Sequence, residues 1–170
     1  MSSTRPRVPD VPLVHVAAGS NIEPETNLRH ALEELRGRFA DLSVSPAYRN
    51  PAFGFEGDDF INLVVMFNTA EPLESVLKKL RDVETLCGRP RNAAKWAPRT
   101  MDLDILLYGD CVLDQPNVRL PRADLVRKAY MLRPAADLSP DLRHPTLDLT
   151  LQQLWQAFDK TGLRMDRVRL

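Results

Sequence analysis

The chain has 170 residues, 44% of them hydrophobic, which is enough for one domain with a substantial core. Its 23 basic residues (Lys and Arg) balance its 23 acidic residues (Asp and Glu), so it lacks the positive excess of a typical nucleic-acid-binding protein. Its apolar runs are too short to cross a bilayer, and two cysteines, Cys87 and Cys111, favour the reducing cytoplasm over a disulfide framework.

The first part of the chain predicts a strand, a helix and two further strands after a loose tail over residues 1–11. Residues 13–18 form the first strand, and Pro24 begins a helix with apolar residues at helical spacing behind it. The next strand contains Pro46, which cannot donate to a ladder, so we expect it at a sheet edge. Residues 60–68 are apolar on both faces apart from Asn62 and predict a strand buried on both sides.

The middle of the chain repeats the helix-then-strand order. Pro72 begins a second helix, which Gly88 ends because glycine suits the left-handed conformation found there. Residues 100–108 predict another strand, and short strands near Val112 and Val118 are expected to complete the sheet as a hairpin.

The C-terminal region adds a helix over residues 149–158, whose apolar residues follow helical spacing. Residues 161–170 are expected to be a tail, which leaves a single domain over residues 12–160. The order strand, helix, strand, strand, helix, strand is that of a split βαβ unit. The sequence therefore predicts an α+β, ferredoxin-like fold: a mostly antiparallel sheet covered by helices, with an added hairpin and C-terminal helix.

Two aspartates interrupt the predicted strand at residues 100–108. Because strand side chains alternate between faces, Asp102 and Asp104 point the same way, together with Leu106 and Tyr108. At the mouth of the core the two carboxylates repel each other unless cations compensate. For an isolated D-x-D pair, the simplest explanation is a nearby arginine that pairs with it.

The segment before these aspartates is rich in cations. Residues 89–99 contain no acid and four basic side chains, Arg89, Arg91, Lys95 and Arg99. A basic loop is usually just solvated. A basic loop that leads into paired carboxylates also suits a polyphosphate with bound Mg²⁺, because carboxylates hold the metal while Arg and Lys neutralise the phosphate oxygens. Carboxylates at this spacing can converge on two metal ions.

Asn62 is a second polar anomaly, since it shares a face with Phe60 and Val64 in a buried strand. Its amide needs hydrogen-bond partners, which either protein backbone or the edge of a flat heterocycle can supply. Phe60 could stack on such a ring. The glycines form neither a P-loop nor a dinucleotide motif, so side chains would have to hold any nucleotide.

Five segments of the sequence form a recognisable set: AAGSN at residues 17–21, YRNPAFG at 48–54, DFINLVV at 59–65, VETLCGR at 83–89 and KWAPRTMDLDILLYGD at 95–110. Together they resemble the 6-hydroxymethyl-7,8-dihydropterin pyrophosphokinase family of folate biosynthesis. The last segment is the most specific, because it combines a Trp, an Arg and both carboxylates at fixed spacing. The resemblance implies transfer of the β,γ-diphosphoryl group of ATP to the pterin hydroxymethyl group, giving AMP and the pterin diphosphate.

The resemblance also implies roles for individual residues. Asp102 and Asp104 would bind two Mg²⁺ ions that bridge the ATP phosphates, and with Arg91 and Arg99 they form the implied catalytic set. The implied nucleotide site comprises Glu84, Arg89, Arg91, Lys95, Arg99, Arg122 and Lys128. The implied pterin site comprises Asn50, Pro51, Phe53, Phe60, Asn62, Trp96 and Tyr130. The pterin would lie between Phe60 and Tyr130, although core packing is the default role of such aromatic residues.

The chain departs from the family pattern on the nucleotide side. Where the family has Pro-His and later an Arg, this chain has Pro121-Arg122-Ala123 and Lys128, which implies altered ATP affinity rather than lost activity. Two alternatives stay open: a paralogue that binds pterin or nucleotide without turnover, and a nucleic-acid module that uses the basic loop. The balanced charge and the buried D-x-D pair disfavour the second. We expect a monomer that binds neither nucleic acid nor membrane.

Overall fold

The computed structural model describes residues 11–52, 55–88 and 101–170. The strands are β1 (Leu13–Ser20), β2 (Ser43–Val44), β3 (Ala47–Asn50), β4 (Phe60–Asn68), β5 (Asp102–Tyr108), β6 (Leu113–Gln115), β7 (Val118–Leu120) and β8 (Asp166–Val168). The helices are α1 (Pro24–Arg38), α2 (Leu73–Leu86), α3 (Asp124–Arg127), α4 (Ala129–Leu138) and α5 (Leu151–Ala157). None of these helices combines the length and apolarity that a bilayer crossing needs.

The main sheet has six strands in the order β5-β1-β4-β3-β8, with β2 also paired to β4. Every pairing in it is antiparallel. The strand order and the two crossover helices confirm the ferredoxin-like split βαβ fold. β6 and β7 pair only with each other among the described residues, so the hairpin is an addition and does not complete the sheet.

Helices α1 and α2 cover one face of the sheet, as their apolar spacing predicts. Pro24 is the first residue of α1, where its missing N–H costs no hydrogen bond, and Gly88 follows α2 with a φ of 86°. The buried residues that these helices contribute are Leu28, Ala31, Leu32 and Leu35 from α1 and Val76, Leu80 and Val83 from α2. They pack with Val14, Val16, Ile61 and Leu63 of the sheet to form the first core.

The opposite face is covered by α4, which the sequence analysis does not predict. Pro134 lies inside this helix, and proline in a helix interior usually argues against the assignment. Met131, Leu132 and Ala135 nevertheless pack on Val64 of the sheet, with Leu151 of α5 beside them, and form the second core. The domain therefore has three layers, with one core on each side of the sheet.

Two expectations about the far edge of the sheet are wrong. Pro46 separates β2 from β3, but β3 lies between β4 and β8 and is not an edge strand. Ser45, next to Pro46, keeps the chain bonded to β4 between β2 and β3. Its N–H donates to the Val64 carbonyl and its Oγ accepts from the Val64 N–H, each at 2.9 Å. The expected tail over residues 161–170 instead contains β8, which pairs with β3.

Strand β5 contains a bulge that changes which residues share a face. The register against β1 shifts between His15 and Val16, so Leu106 has no partner there. Leu106 and Leu107 then both join the second core, whereas Tyr108 packs on the first core and donates a hydrogen bond to the Glu71 carbonyl. The expectation that Tyr108 shares the aspartate face is therefore wrong, because the extra residue reverses the alternation beyond it.

Candidate active site

The centre of the candidate site is a row of paired positions across three strands. Gly19 of β1 is paired with Asn62 of β4 on one side and with Asp102 of β5 on the other. Directly paired residues point to the same face of a sheet, and adjacent strands lie about 4.8 Å apart. Asp102 and Asn62 therefore face the same side at a separation of about two strand spacings, with glycine between them. We call this side, which carries Asp102, Asp104, Gly19, Phe60 and Asn62, the site face.

Asp102 and Asp104 lie on the site face, as predicted, because the β5 bulge begins only at Leu106. Both are half-buried and line a cleft of about 270 Å³ beside β5. Glu84 and Arg122 line the same cleft. Arg122 Nη1 is 3.6 Å from Asp104 Oδ1, so a cation does compensate this carboxylate.

Glu84 is placed beside the aspartates by a backbone contact. Its Oε2 accepts a hydrogen bond of 3.1 Å from the N–H of Leu103, the residue between Asp102 and Asp104. Among the described strands β5 is the one at this edge of the sheet, so the Glu84 carboxylate satisfies a backbone donor that no other described strand takes. The prediction that Glu84 lies near the nucleotide is compatible with this position.

The carboxylates of the cleft fit a hard divalent cation. Carboxylate oxygens are preferred ligands of Mg²⁺, which usually keeps several waters and needs only one or two carboxylates besides substrate phosphates. The side chain of Asp104 is 24% exposed, so water and phosphate can reach it. No group of three His, Cys, Asp or Glu residues suited to a metal occurs among the described residues.

The predicted pterin-binding amide is held by a second asparagine. Asn62 Nδ2 donates to Asn50 Oδ1 at 2.6 Å, and Asn50 Nδ2 donates to the Pro51 carbonyl at 3.1 Å. Phe60 lies half-buried beside Asn62, and its ring contacts Phe55 edge to face with centroids 6.2 Å apart. The fold thus brings Asn50, Phe60 and Asn62 together on one side of the sheet.

Tyr130 of α4 lies over the same side of the sheet, near the carboxylates. Burial, and then the negative charges of Asp124, Asp104 and Asp102, raise the pKa of Tyr130 to about 12. Its phenol therefore stays protonated and can donate a hydrogen bond. Lys128 lies between α3 and α4, two residues before Tyr130, and is half-buried.

Six expected site residues lie outside the described residues: Phe53, Arg89, Arg91, Lys95, Trp96 and Arg99. Their roles stay predictions.

Sequence reasoning missed Tyr48, which extends the row by one more strand. It is paired with Asn62, is 2% exposed, and donates from its hydroxyl to Asp137 Oδ2 at 2.5 Å. The guanidinium of Arg133 lies 4.7 Å from the centre of its ring. These contacts tie β3 to α4. Tyr48 is the first residue of the YRNPAFG segment at residues 48–54 and stands two residues before Asn50, and these are the signals that could have found it.

The chain is similar to known proteins in sequence and in fold. Residues 15–140 match the family described as 7,8-dihydro-6-hydroxymethylpterin-pyrophosphokinase (HPPK). The chain is similar to the 2-amino-4-hydroxy-6-hydroxymethyldihydropteridine pyrophosphokinase of Pseudomonas aeruginosa, with 38% identity over 137 residues that cover 78% of this chain and 83% of the relative. For the enzyme of the same name from Synechocystis, the identity is 32% over 157 residues, which cover 87% of this chain and 77% of the relative.

The fold is also similar to the crystal structure of wild-type Plasmodium falciparum HPPK-DHPS with pterin and p-hydroxybenzoate. The TM-score is 0.66 at 13% identity, over 88% of this chain and 43% of that chain. This chain therefore spans less than half of that longer protein, and the likeness concerns the fold alone. The match over residues 15–140 and the two relatives place the chain in the 7,8-dihydro-6-hydroxymethylpterin-pyrophosphokinase family.

Proposed function

We propose that this chain transfers the diphosphoryl group of ATP to 6-hydroxymethyl-7,8-dihydropterin on the site face, with AMP and the pterin diphosphate as products. Its family makes the chain an ATP-dependent pyrophosphokinase of folate biosynthesis. One observation carries the location of the reaction: the row Asp102, Gly19, Asn62 puts a carboxylate and a buried amide on one face with no side chain between them.

In this proposal Asp102 and Asp104 bind two Mg²⁺ ions. Bound metal would neutralise the phosphate oxygens of ATP and align the triphosphate for attack. Glu84 fixes the backbone between the two aspartates and so holds their side chains in place. Arg122 compensates Asp104 and adds a permanent positive charge on the nucleotide side.

The triphosphate carries more negative charge than Mg²⁺ alone neutralises. We assign the remaining charge to cations that the family resemblance indicates: Arg89, Arg91, Lys95, Arg99, Arg122 and Lys128. In phosphoryl-group transfer the protein makes few bonds itself, so catalysis depends on placing the reactants in line and on stabilising the shifting charge. Arg91 and Arg99 are the cations that we assign to the reacting phosphates.

The pterin half of the site recognises a flat ring with donors and acceptors on its edge. Among the described residues Asn62 uses one N–H on Asn50, and in this proposal its second N–H and part of its oxygen capacity serve the ligand. Phe60 and Tyr130 supply aromatic surface, and Tyr130 can also donate a hydrogen bond. We assign Asn50, Pro51, Phe53 and Trp96 to the same half on the strength of the resemblance.

The direct test is product analysis with purified protein, ATP, Mg²⁺ and the pterin. We expect AMP and pterin diphosphate in equal amounts, no AMP without the pterin, and no product from Asp104→Asn, which keeps the shape of the side chain but removes its charge. Release of ADP would contradict the proposal. Pterin and ATP binding without AMP formation would instead support a non-catalytic paralogue, which the family assignment does not favour.

The proposal includes a cytoplasmic monomer that binds neither nucleic acid nor membrane. The described thiols Cys87 and Cys111 are free, as in a reducing compartment. Size-exclusion chromatography with light scattering should give a mass near the 19.3 kDa of one chain. A dimer mass would contradict the monomer, and a membrane-pelleted pool would contradict the lack of membrane binding. A salt-sensitive gel shift with DNA or RNA would contradict the lack of nucleic-acid binding.

A further inference from the structure

We infer that Gly19 is a positioning residue for pterin binding, because it leaves the space in which the Asn62 amide lies and so fixes the direction of that amide. The inference rests on the proposed function, which assigns Asn62 to the pterin site.

The first observation is the space above Gly19. A Cβ placed on Gly19 would lie 2.4 Å from Asn62 Oδ1 and 3.8 Å from Phe60 Cδ1. The shorter distance is far inside van der Waals contact. The amide oxygen of Asn62 therefore occupies the volume that any side chain at position 19 would need.

Backbone conformation does not explain this glycine. The described glycines with positive φ are Gly88, Gly109 and Gly162, and Gly19 is not among them. An alanine could therefore adopt the backbone of Gly19 without strain. Glycine in a strand interior also weakens the strand relative to residues with a side chain. The absence of a side chain is thus the property that this position requires.

The Asn62 amide cannot move aside freely. Asn62 is 8% exposed, and its Nδ2 is held by Asn50 Oδ1 at 2.6 Å. Displacement of the amide would break this hydrogen bond in a buried place, where unsatisfied polar groups are costly. A methyl group at position 19 would therefore either tilt the amide away from its present direction or separate β1 from β4.

Gly19 also faces Asp102 on its other side. Because Gly19 has no side chain, only its backbone lies on the site face between the proposed metal ligand Asp102 and the proposed pterin-binding amide of Asn62. The effect of a side chain at position 19 is expected on the pterin side of this gap, where the Asn62 amide lies against Gly19.

The test is Gly19→Ala, with the dissociation constants of pterin and ATP measured by calorimetry, each in the presence of a non-reacting analogue of the other substrate. We expect pterin to bind about 10- to 100-fold more weakly, the range for one disturbed buried hydrogen bond, while ATP affinity stays unchanged. The matched control is Gly37→Ala in α1, because a Cβ at Gly37 meets no atom within 4 Å. Unchanged pterin affinity in Gly19→Ala, or an equal loss for ATP, would overturn the inference.

The same substitution in an Asn62→Ala background separates this inference from the proposed function. We expect Asn62→Ala to weaken pterin binding, and Gly19→Ala to add no further loss once the amide is gone. If Asn62→Ala has no effect, the assignment of Asn62 in the proposed function fails. If Asn62→Ala weakens binding and the second substitution adds its full effect, only the inference about Gly19 fails. Should Gly19→Ala not fold, the double variant must fold, and an unfolded double variant would refute the inference.

Discussion

Arg122 and Asp104 form an ion pair across the candidate active site, with Arg122 Nη1 3.6 Å from Asp104 Oδ1. The backbone N–H of Arg122 donates to the Leu106 carbonyl at 2.9 Å, which anchors the arginine to β5. Its Nη2 also lies 3.8 Å from Asp124 Oδ2. The position at which the family pattern has a histidine therefore carries a permanent cation beside a proposed metal ligand.

Replacing this arginine with the family's histidine should change how ATP binding responds to salt. Arginine is charged at every accessible pH, whereas histidine is largely neutral above its pKa and offers mainly hydrogen bonds. We expect Arg122→His to alter KM for ATP, to reduce the salt sensitivity of ATP binding, and to leave pterin affinity unchanged. The measurement is ATP affinity across a salt series, with Arg143→His as a control, because Arg143 is 67% exposed and pairs with Asp148. Parallel salt dependence with unchanged KM would mean that Arg122 does not face the nucleotide.

Removing either carboxylate of the D-x-D pair should abolish turnover without unfolding the protein. Asp102→Ala or Asp104→Ala removes a proposed metal ligand and should lower kcat on the order of 10³-fold or more. The free energy of unfolding should change by no more than about 1 kcal/mol, because both side chains are partly exposed. Removal of one carboxylate also relieves its repulsion of the other. Asp114→Ala is the control, since Asp114 is 82% exposed on the hairpin and pairs with Arg119. Activity within tenfold of the wild type would contradict the metal assignment.

The sequence predicts those helices and strands in which apolar residues recur at regular spacing over many residues. Helices α1 and α2 and strand β4 bury long apolar patterns, and local rules suffice for them. Helix α4 was missed because Pro134 argues locally against a helix, whereas burial of its apolar face on the sheet outweighs that cost. Strand β8 has only three residues, two of them exposed, and depends on its pairing with β3.

The site was predictable to the extent that its residues are adjacent in sequence. Asp102 and Asp104 share a face because they are two residues apart, and Asn62 stands out because the strand around it is apolar. The roles of Gly19 and Tyr48 depend on which positions of β4 and β5 lie opposite them. The hydrophobic pattern of a strand fixes which face each residue takes, but the residue that lies opposite depends on the other strand and on the connection between them.

Removing the aromatic ring next to Asn62 should weaken pterin binding selectively. Phe60→Ala should cost about 1 to 3 kcal/mol of pterin affinity, by analogy with the stacking of bases on aromatic side chains. ATP affinity should not change, and calorimetry with each substrate measures both. Phe158→Ala is the control, because it also removes a half-buried ring, one stacked on Trp155 at a centroid distance of 5.6 Å. A joint loss of both affinities and of the melting temperature would instead mean that Phe60 is a core-packing residue.

Stability should fall in mild acid because of a buried histidine. His15 is 0% exposed, and burial lowers the pKa of its imidazole from 6.5 to about 4. Its Nε2 is 2.8 Å from Ser139 Oγ, and its Nδ1 has no hydrogen-bond partner among the described residues. Below pH 6.5 the unfolded chain binds a proton that the folded protein does not accept, so the unfolded state is favoured as the pH falls. Neutral His15 therefore does not reduce the free energy of unfolding above pH 6.5. Between pH 6.5 and about 4 the free energy of unfolding decreases by up to about 3 kcal/mol.

The variant His15→Gln tests this, because it keeps a polar side chain at the position but removes the titrating group. Urea denaturation at several pH values between about 7.5 and 4.5 should show a smaller loss of unfolding free energy on acidification than in the wild type. Some loss should remain, since burial also lowers the pKa of His144. His30→Gln is the control, because it makes the same substitution at a histidine whose side chain is 43% exposed. An identical pH dependence in wild type and His15→Gln would show that proton uptake by His15 does not contribute to acid unfolding.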